Sequence, residues 1–389
     1  MTSVYLDYNA TAPMRPEALE ALTRALAQPG NPSSVHAAGR AARALVEQSR
    51  NDIAALVGGP ASTVVFTSGG TEANALAIDS AVATGSRRLI VSAIEHDSVL
   101  ETARASGVAV EYLPVDASGV ADLGWLKARL ADWNPEDGKP FVALMAANNE
   151  SGVIQPVLEA SELVRAADGW LHVDAVQAAG RILTDSRALG ADTLSVSAHK
   201  LGGPQGVGAL TFGPRATLVR RQHGGGQERG RRAGTENVAG IAAFAAAARA
   251  ALREPELTPA WRDAAAARLK VEGAVIVGEG APRLANTLCV AAAGQDAALQ
   301  VMSLDLAGVM VSAGSACSSG KVTPSHVLAA MGLGDLAACA IRVSGGWATT
   351  EADWTAFAEA WSTIHSRFAA RHGAPVARYA ASHDQGAPA

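Results

Sequence analysis

Lys200 follows a predicted strand and ends the segment Ser197-Ala198-His199-Lys200. In α/β proteins, ligands bind at the carboxyl edge of the sheet, which is where such a lysine would lie. A lysine amine that forms a Schiff base also needs a partly dry site and anchors for an anionic ligand. Ser197 and His199 could supply those anchors. They favour a chemical role over the solvated surface position that an isolated lysine usually occupies.

The glycine-rich segment TSGGTEAN, residues 67–74, joins a predicted strand to a predicted helix. Its glycines allow backbone amides to face an anion, and the start of the helix adds partial positive charge. Gly70 and Thr71 are therefore candidates for phosphate binding. The alternative is an ordinary helix N-cap at Ser68 or Thr71, with Glu72 in the first turn. The spacing matches neither a Walker loop nor a dinucleotide-binding fingerprint.

Two further strand ends carry ionisable side chains, in the segments HVDAVQ (residues 172–177) and IEHDS (residues 94–98). Asp174 follows an apolar strand, where a carboxylate could pair with a protonated ring nitrogen and keep a pyridine ring electron-withdrawing. The alternative role for Asp174 is a helix N-cap. His96 could stack on a flat cofactor and transfer protons near neutral pH, although an isolated histidine is more often structural.

Cys317 lies among very small residues in GSACSSG, residues 314–320, a context typical of an exposed loop that carries a nucleophile. Cys289 and Cys339 have large apolar neighbours and are predicted to be buried. Arg342 lies between apolar residues in a predicted strand. Its guanidinium could bind a substrate carboxylate through two hydrogen bonds, or it could form a salt bridge to a distant acid.

These segments are positioned by short apolar runs that alternate with helical patterns between residues 60 and 215. The runs are apolar on both faces, which is typical of parallel strands covered by helices. The predicted strands are Thr63–Phe66, Arg88–Ser92, Val108–Leu113, Phe141–Ala146, Leu171–Asp174, Thr193–Ser197 and Val207–Phe212. The predicted helices between them are Thr71–Ala83, Asp97–Ala105, Leu123–Asp132 and Glu159–Ala167. The pattern predicts an α/β fold with a mostly parallel central sheet and helices on both faces.

The remainder of the chain predicts a second, smaller α/β domain. A loop rich in glycine and arginine (His223–Asn237) precedes an alanine-rich helix from Val238 to about Arg253. The pattern of helices and strands starts again near residue 260. The expected parts are a large domain over residues 15–258, a small domain over residues 1–14 and 259–375, and a flexible tail over residues 376–389.

Composition excludes several classes of protein. With 389 residues, of which 49% are hydrophobic and 18% charged, the chain is neither disordered nor fibrous. A formal charge of −5 gives no reason to expect nucleic acid or an anionic membrane. Three cysteines without CxxC spacing favour a reducing cytoplasm over a disulfide framework or a zinc cluster. The loop arginines Arg229, Arg231 and Arg232 are either solvated or paired across a dimer, or they face an acidic partner or transfer RNA.

Taken together, the segments resemble the pyridoxal-phosphate-dependent cysteine desulfurases of the nitrogen-fixation and iron–sulfur-cluster-assembly type, in the class V aminotransferase group. The resemblance extends from Tyr5 to about Thr350. It rests on ordered motifs, which are YLDYNATAPMRPEA, GNPSSVHAAGR, TSGGTEAN, EHDSVL, NNESGVIQP, HVDAVQ, SAHKLGGPQGVGAL, HGGGQERGRRAGTEN, GSACSS and IRVS. It implies a fold-type I enzyme, pyridoxal 5'-phosphate as the cofactor and a homodimer.

The resemblance also implies how the cofactor is held. Lys200 corresponds to the lysine that binds the cofactor covalently. Asp174 would pair with the ring nitrogen, Gln177 would bond the ring hydroxyl oxygen, and His96 would stack on the ring and take part in proton transfer. The residues implied to hold the phosphate are Gly70, Thr71, Ser197, His199 and Thr235 of the partner subunit.

The implied reaction converts L-cysteine to L-alanine. Asn149 and Arg342 would bind the substrate carboxylate, with Asn31 nearby. Cys317 would accept the sulfur as a persulfide and pass it to an iron–sulfur scaffold or a thiolation enzyme. The sequence around Cys317, SAGSACSSGKVTPSHVL, resembles the group of relatives in which a long loop carries the cysteine.

Three other functions remain open on the sequence alone. A selenocysteine lyase would share the same site. A pyridoxal-phosphate C–S lyase or aminotransferase would use Lys200 but not Cys317. A non-catalytic binding protein on this scaffold is disfavoured, because Lys200, Asp174, His96 and Cys317 occur together. No metal ion, membrane or direct nucleic-acid partner is expected.

Overall fold

The structure, a computed structural model, describes residues 3–254, 259–314 and 324–372. Cys317 and the predicted tail over residues 376–389 lie outside the described residues. The strands within them are β1 (Val4–Tyr5), β2 (Val64–Thr67), β3 (Arg88–Ser92), β4 (Ala109–Leu113), β5 (Phe141–Ala143), β6 (Trp170–Asp174), β7 (Thr193–Ser197), β8 (Gly208–Phe212), β9 (Val275–Ile276), β10 (Thr287–Ala291), β11 (Val309–Met310), β12 (Ser312–Ala313) and β13 (Ala340–Ser344). The α-helices within them are α1 (Pro16–Leu26), α2 (Ala37–Val57), α3 (Gly70–Ala83), α4 (Asp97–Ala105), α5 (Leu123–Ala131), α6 (Val157–Ala166), α7 (Val238–Ala251), α8 (Ala260–Val271), α9 (Ala297–Leu306), α10 (His326–Ala330) and α11 (Glu351–His372).

The central sheet of the described residues has seven strands in the order β2-β8-β7-β6-β5-β3-β4. The neighbouring pairs from β7 to β4 are parallel, so the predicted α/β class with a mostly parallel sheet is confirmed. All the strands predicted between residues 60 and 215 form. The strand β5 ends at Ala143 rather than Ala146, but Leu144 and Ala146 still donate backbone hydrogen bonds to the carbonyls of His172 and Asp174.

Strand β8 departs from the parallel pattern, because it is antiparallel to both β7 and β2. Only residues 198–207 separate it from β7. A parallel crossover needs about a dozen residues or more, so this segment is too short for one and the chain turns back. Lys200 lies in that turn, directly after the carboxyl end of β7.

Helices cover both faces of the central sheet because alternate strand residues face opposite sides. In β3, Ile90 joins the apolar core that contains residues of α1, α2, α5, α6 and α7. Its neighbours Leu89 and Val91 join the core that contains residues of α3 and α4. Helix α7 packs against α1 and α2, and its alanines are almost all buried, as expected for the alanine-rich run.

A smaller antiparallel sheet, in the order β12-β13-β10-β9, forms the second part of the molecule. Its apolar core includes Trp361 of α11 and Leu6 of the N-terminal segment. Strand β1 pairs with β11, and the chain then reaches the turn after β7, where the Ala12 amide donates to the His199 carbonyl at 2.8 Å. The N-terminal segment therefore links the two parts. The predicted domain boundaries stay predictions.

The two cysteines predicted to be core residues are both buried, Cys289 in β10 and Cys339 just before β13. Burial raises the pKa of the Cys289 thiol, which therefore stays protonated at neutral pH.

Among the helices that the structure describes, none has both the length and the apolar character needed to cross a membrane.

Candidate active site

A cavity of about 260 Å³ lies where β6, β7, the start of α3 and the start of α4 meet the N-terminal segment and β13. Most of the side chains predicted to act on a cofactor or substrate line it. The predicted residues among its lining are Gly70, Thr71, His96, Asn149, Asp174, Gln177, Ser197, His199, Lys200 and Arg342. Folding therefore brings together residues that are up to 272 positions apart in the chain (342 − 70).

The turn after β7 carries Lys200 into the cavity beside the N-terminal segment. The Lys200 amine donates hydrogen bonds to the backbone carbonyls of Asn9 and Ala10. His199 bonds Thr11 Oγ1 through Nδ1 at 2.7 Å. Burial, together with the charges of Lys200 and His96, lowers the pKa of His199 to about 4. His199 is therefore neutral at neutral pH, and Lys200 supplies the amine that this turn brings to the cavity.

The start of α3 is not capped by a side chain within the described residues. The cap position is Gly69, and neither Ser68 nor Thr71 acts as the cap, so the alternative of an ordinary N-cap at these residues is wrong, although Glu72 does lie in the first turn. A Cβ built on Gly70 would lie 2.8 Å from a methyl of Val176, which explains why a glycine fits there. Uncapped amides at a helix start favour an anion, because they combine free N–H donors with partial positive charge.

The Asp174 carboxylate is held by hydrogen bonds to both of its oxygens. Oδ2 accepts from Asn74 Nδ2 at 2.8 Å, and Oδ1 accepts from the Val176 amide at 2.9 Å. The Asn74 carbonyl in turn accepts from Ser195 Oγ at 2.6 Å and bonds His172 Nε2 at 3.0 Å. We call Asn74, His172, Asp174 and Ser195 the Asp174 wall.

The histidine of the Asp174 wall, His172, is neutral in the folded protein. Burial lowers the pKa of His172 to about 4, so the ring is neutral and can donate from Nε2 to Asn74.

Sequence reasoning missed Asn74. The available signal was its position four residues after Gly70, which places both on one face of α3.

His96 caps the start of α4 with its own side chain. Its Nδ1 accepts from the Ser98 amide at 3.0 Å, so the neutral ring carries its proton on Nε2. The preceding residue, Glu95, is fully buried, and its Oε1 accepts from the Met145 amide at 2.5 Å. Burial, with the nearby charge of Asp174, raises the pKa of Glu95 well above its usual value. Both effects favour the neutral, protonated form of the Glu95 carboxyl.

Arg342, in β13, forms the opposite side of the cavity. Its Nη2 donates to Asp7 Oδ1 at 2.9 Å, and its Nη1 donates to the Asn149 carbonyl at 3.3 Å. The salt bridge to a distant acid is thus present. Arg342 Nε is nevertheless buried without a partner in the described residues, as is Glu150 Oε1. We call Asp7, Asn149, Glu150 and Arg342 the Arg342 wall.

Three predicted site residues are not part of this cavity. Asn31 and Thr235 are exposed and do not line it within the described chain. Cys317 lies outside the described residues. The cavity also contains residues that sequence reasoning did not single out, namely Asn9, Asn74, Ser98, Glu150 and His326.

The arginines of the loop before α7 are paired within the chain. Arg229 bonds Glu47 at 3.0 Å, and Arg232 bonds Glu72 at 2.9 Å. Arg231 lies 4.7 Å from the centre of the Phe212 ring. The three arginines thus make contacts within the chain, an arrangement that the sequence analysis did not predict.

The residues present fit a flat, anionic ring such as pyridoxal phosphate. The uncapped start of α3 can bind a phosphate, the Lys200 amine can bind an aldehyde, and the fixed Asp174 carboxylate can pair with a ring nitrogen. The unpartnered Nε of Arg342 leaves a donor for a carboxylate. Among the described residues, no cluster of three His, Cys, Asp or Glu side chains could hold a metal ion.

Comparison with known proteins agrees with this chemistry. The sequence profile of the family described as "Aminotransferase class-V" matches residues 4–357. A "Cysteine desulfurase IscS" of Dictyoglomus turgidum is 40% identical over 364 residues, which cover 90% of this chain and 91% of the relative. A "Cysteine desulfurase" of Cereibacter sphaeroides is 41% identical over 373 residues, which cover 91% of this chain and 93% of the relative.

The fold is also shared with a solved structure. The X-ray structure of a NifS-like protein from Rickettsia africae superimposes with a TM-score of 0.85 at 33% sequence identity. The match covers 94% of this chain and 99% of the other. The likeness therefore extends over both the central sheet and the smaller part of the molecule.

Proposed function

The chain belongs to the aminotransferase class-V family, and from that premise we propose that it is a pyridoxal-phosphate-dependent cysteine desulfurase. The substrate is L-cysteine and the product is L-alanine. One observation carries the proposal: a single cavity combines the Lys200 amine, an uncapped helix start and the Asp174 carboxylate fixed by Asn74. These three groups match the aldehyde, the phosphate and the ring nitrogen of one cofactor.

The residues named here bind two different parts of the cofactor in this proposal. Gly70, Thr71, Ser197 and His199 bind the phosphate, with Thr235 of the partner subunit completing the site in a homodimer. Gln177 donates to the ring hydroxyl oxygen. Supporting this assignment, His199 is neutral and can donate a hydrogen bond without adding charge.

When bound, pyridoxal phosphate supplies an electron-withdrawing ring that stabilises the negative charge left at the substrate Cα when a proton departs. Asp174 keeps the ring nitrogen protonated, and Asn74 holds Asp174 in place. Lys200 takes the proton from Cα. His96 stacks on the ring and moves a proton through Nε2, because its Nδ1 is occupied by the Ser98 amide.

The Arg342 wall orients the substrate. Arg342 and Asn149 bind the substrate carboxylate, with Asn31 as a further candidate outside the described cavity. The unpartnered Nε of Arg342 supports this role, since a buried donor without an acceptor gains most from an anionic ligand. A bound carboxylate fixes the direction in which the substrate sulfur lies.

Cys317 is the sulfur acceptor in this proposal. Its thiolate attacks the substrate sulfur, the C–S bond breaks, and Cys317 is left as a persulfide while the carbon skeleton takes a proton and leaves as alanine. The persulfide then passes to an iron–sulfur scaffold or a thiolation enzyme. We place the homodimer in the cytoplasm, because thiol chemistry of this kind needs a reducing compartment.

The decisive experiment supplies L-cysteine and a reductant to the wild type and to Cys317→Ala, and measures sulfide and alanine. The variant should lose both products, whereas Cys339→Ala, which alters a buried cysteine outside the cavity, should keep them. Undiminished alanine from Cys317→Ala would instead indicate a C–S lyase or aminotransferase. Much faster turnover of selenocysteine would indicate a selenocysteine lyase, and a colourless protein after reconstitution would indicate a binding protein without this cofactor.

A further inference from the structure

The side-chain amide of Gln177 is fixed at both ends. Its Nε2 donates to the Asn9 carbonyl at 3.0 Å, and its Oε1 accepts from Arg181 Nη1 at 2.7 Å. A guanidinium can only donate and a backbone carbonyl can only accept. Turning the amide over would place donor against donor and acceptor against acceptor. Arg181 and Asn9 therefore specify the same orientation of Gln177.

Arg181 has no acidic partner in the part of the chain that the structure describes. Its Nη1 donates to Asn9 Oδ1 at 2.8 Å and to the Gln177 carbonyl at 3.2 Å, in addition to Gln177 Oε1. Burial, with the nearby charge of Arg342, lowers the pKa of Arg181 to about 10. The guanidinium therefore remains charged at neutral pH, where a buried cation is costly unless its hydrogen bonds compensate for it.

Arg181 does not itself line the cavity that contains Asp174. It lines a separate cavity of about 330 Å³ on the other side of Lys200, together with Arg15 and Trp347. Gln177 lines the Asp174 cavity, and its NH₂ group has two donors, of which one is used by the Asn9 carbonyl. Arg181 bonds two residues that line the Asp174 cavity, Gln177 and Asn9. The Asn9 side-chain NH₂ already donates to Asn149 and Thr287, so Gln177 is the one of the two that offers a further donor to a ligand.

We propose that Arg181 is a positioning residue that keeps an N–H of Gln177, and not its carbonyl oxygen, facing the cavity, where it donates to an anionic ring oxygen of the cofactor. This inference rests on the proposed function, because it requires a ligand with such an oxygen. It assigns a task to a charged residue that makes no contact with the ligand.

The consequence is a shift in protonation at Lys200 in the holoenzyme. A hydrogen bond to the ring oxygen stabilises its negative charge and weakens its hold on the proton shared with the Lys200 nitrogen. Losing that donor raises the pH at which the visible absorption band changes. The other titratable or charged groups that line the two cavities around Lys200 are His96, Asp97, Glu150, Asp174, His199, His326 and Arg342 in one and Tyr8, Arg15, Asp185 and Glu254 in the other. A substitution at position 181 replaces none of these side chains.

The test is a pH titration of the visible spectrum of the holoenzyme. Arg181→Met should raise the apparent pKa of the spectral change by about one unit, and Arg181→Lys, which keeps a donor and the charge, should recover at least half of that shift. The matched control is Arg283→Met, since Arg283 is a half-buried arginine with a lowered pKa that does not line the Asp174 cavity. It should leave the spectral pKa unchanged.

A double variant tests the route through Gln177. In a Gln177→Leu background, Arg181→Met should add less than a third of the shift that it causes alone. Additive shifts, or an unshifted pKa in Arg181→Met, overturn the inference. Arg181→Gln, which keeps a polar group without charge, carries the same test if the methionine variant does not fold. A holoenzyme without a visible band contradicts the proposed function instead.

Discussion

The two walls of the cavity differ in how far their polar atoms are satisfied by the protein itself. On the Asp174 wall, both carboxylate oxygens and both ends of the Asn74 amide are hydrogen-bonded. On the Arg342 wall, Arg342 Nε and Glu150 Oε1 are buried and have no partner in the described residues. An unsatisfied buried group costs roughly 1–3 kcal/mol. The first wall is therefore complete without a ligand, whereas the second keeps hydrogen-bonding capacity for one.

This difference follows from how each wall is assembled. The Asp174 wall is built on α3 and the neighbouring parallel strands β6 and β7, which belong to one sheet and its covering helix. The Arg342 wall combines the N-terminal segment, the loop after β5 and strand β13 of the smaller sheet. The central sheet therefore holds Asp174, the group that needs a fixed position. The junction between the two parts of the molecule holds Arg342, the group whose partner a ligand can replace.

The largest effect is expected from removing the charge of the Asp174 wall. In Asp174→Asn, turnover of L-cysteine should fall by roughly 10²–10⁴-fold, because an amide does not keep a ring nitrogen protonated. The measurement is kcat for alanine formation at saturating substrate. Asp192→Asn is the matched control, since Asp192 is a buried acid of the same sheet region that does not line the cavity. A loss below tenfold in Asp174→Asn would contradict the assignment.

A smaller effect is expected from disturbing the support of Asp174 while leaving its charge. Asn74→Ala should lower kcat by about 10²-fold, because a displaced carboxylate no longer meets its partner in the productive geometry. Ser98→Ala keeps the bond between Asn74 and Asp174 and removes two other contacts of 2.9 Å, from Asn74 Nδ2 and to His96 Nδ1. It should cost less, because His96 Nδ1 keeps the Ser98 amide as its donor. Equal losses in the two variants would show that the bond between Asn74 and Asp174 is not the important one.

A substitution of Arg342 should change KM for L-cysteine rather than kcat. Arg342→Lys keeps the charge and removes the fork of N–H donors, so KM for L-cysteine should rise by about 10- to 100-fold, in line with roughly 1.5–3 kcal/mol for a hydrogen bond to a charged group. Arg262→Lys is the control, because Arg262 is buried in the smaller part of the molecule and bonds the Leu284 carbonyl. An unchanged KM with a reduced kcat would remove Arg342 from substrate binding.

The smallest effect concerns stability and tests whether the Asp174 wall depends on a neutral histidine. His172 has a pKa of about 4 when folded and 6.5 as the reference value, so between these pH values the unfolded chain binds a proton that the folded chain does not. The free energy of unfolding should therefore fall by about 1 kcal/mol more between pH 7 and pH 5.5 in the wild type than in His172→Gln. Urea unfolding at the two pH values measures this difference.

The matched control for that measurement is His223→Gln. His223 is exposed, so its replacement should leave the pH dependence of unfolding as it is in the wild type. A pH dependence in His172→Gln that equals that of the wild type would show that His172 is not held neutral in the folded protein.

The sequence predicted the strands and the motifs at their ends well, because apolar runs and glycine-rich turns are local signals. It left the start of α3 open between an anion site and an ordinary N-cap, and the structure shows that neither Ser68 nor Thr71 caps the helix. Serine and threonine are good caps in general, and only the tertiary structure shows that the first turn faces a cavity instead. The antiparallel direction of β8 was also not predicted, since strand direction depends on the space available for the connection.

By itself, the sequence determined the order of the elements and which residues stand at their ends, because side-chain periodicity and turn chemistry act over a few residues. Only the tertiary structure decided the partners of those residues: Asn74 for Asp174, Asp7 for Arg342 and Arg181 for Gln177. Arg342 and Asp7 are 335 positions apart. No local pattern carries such a pairing, since hydrogen bonds between distant residues exist only once the sheets and the N-terminal segment have packed together.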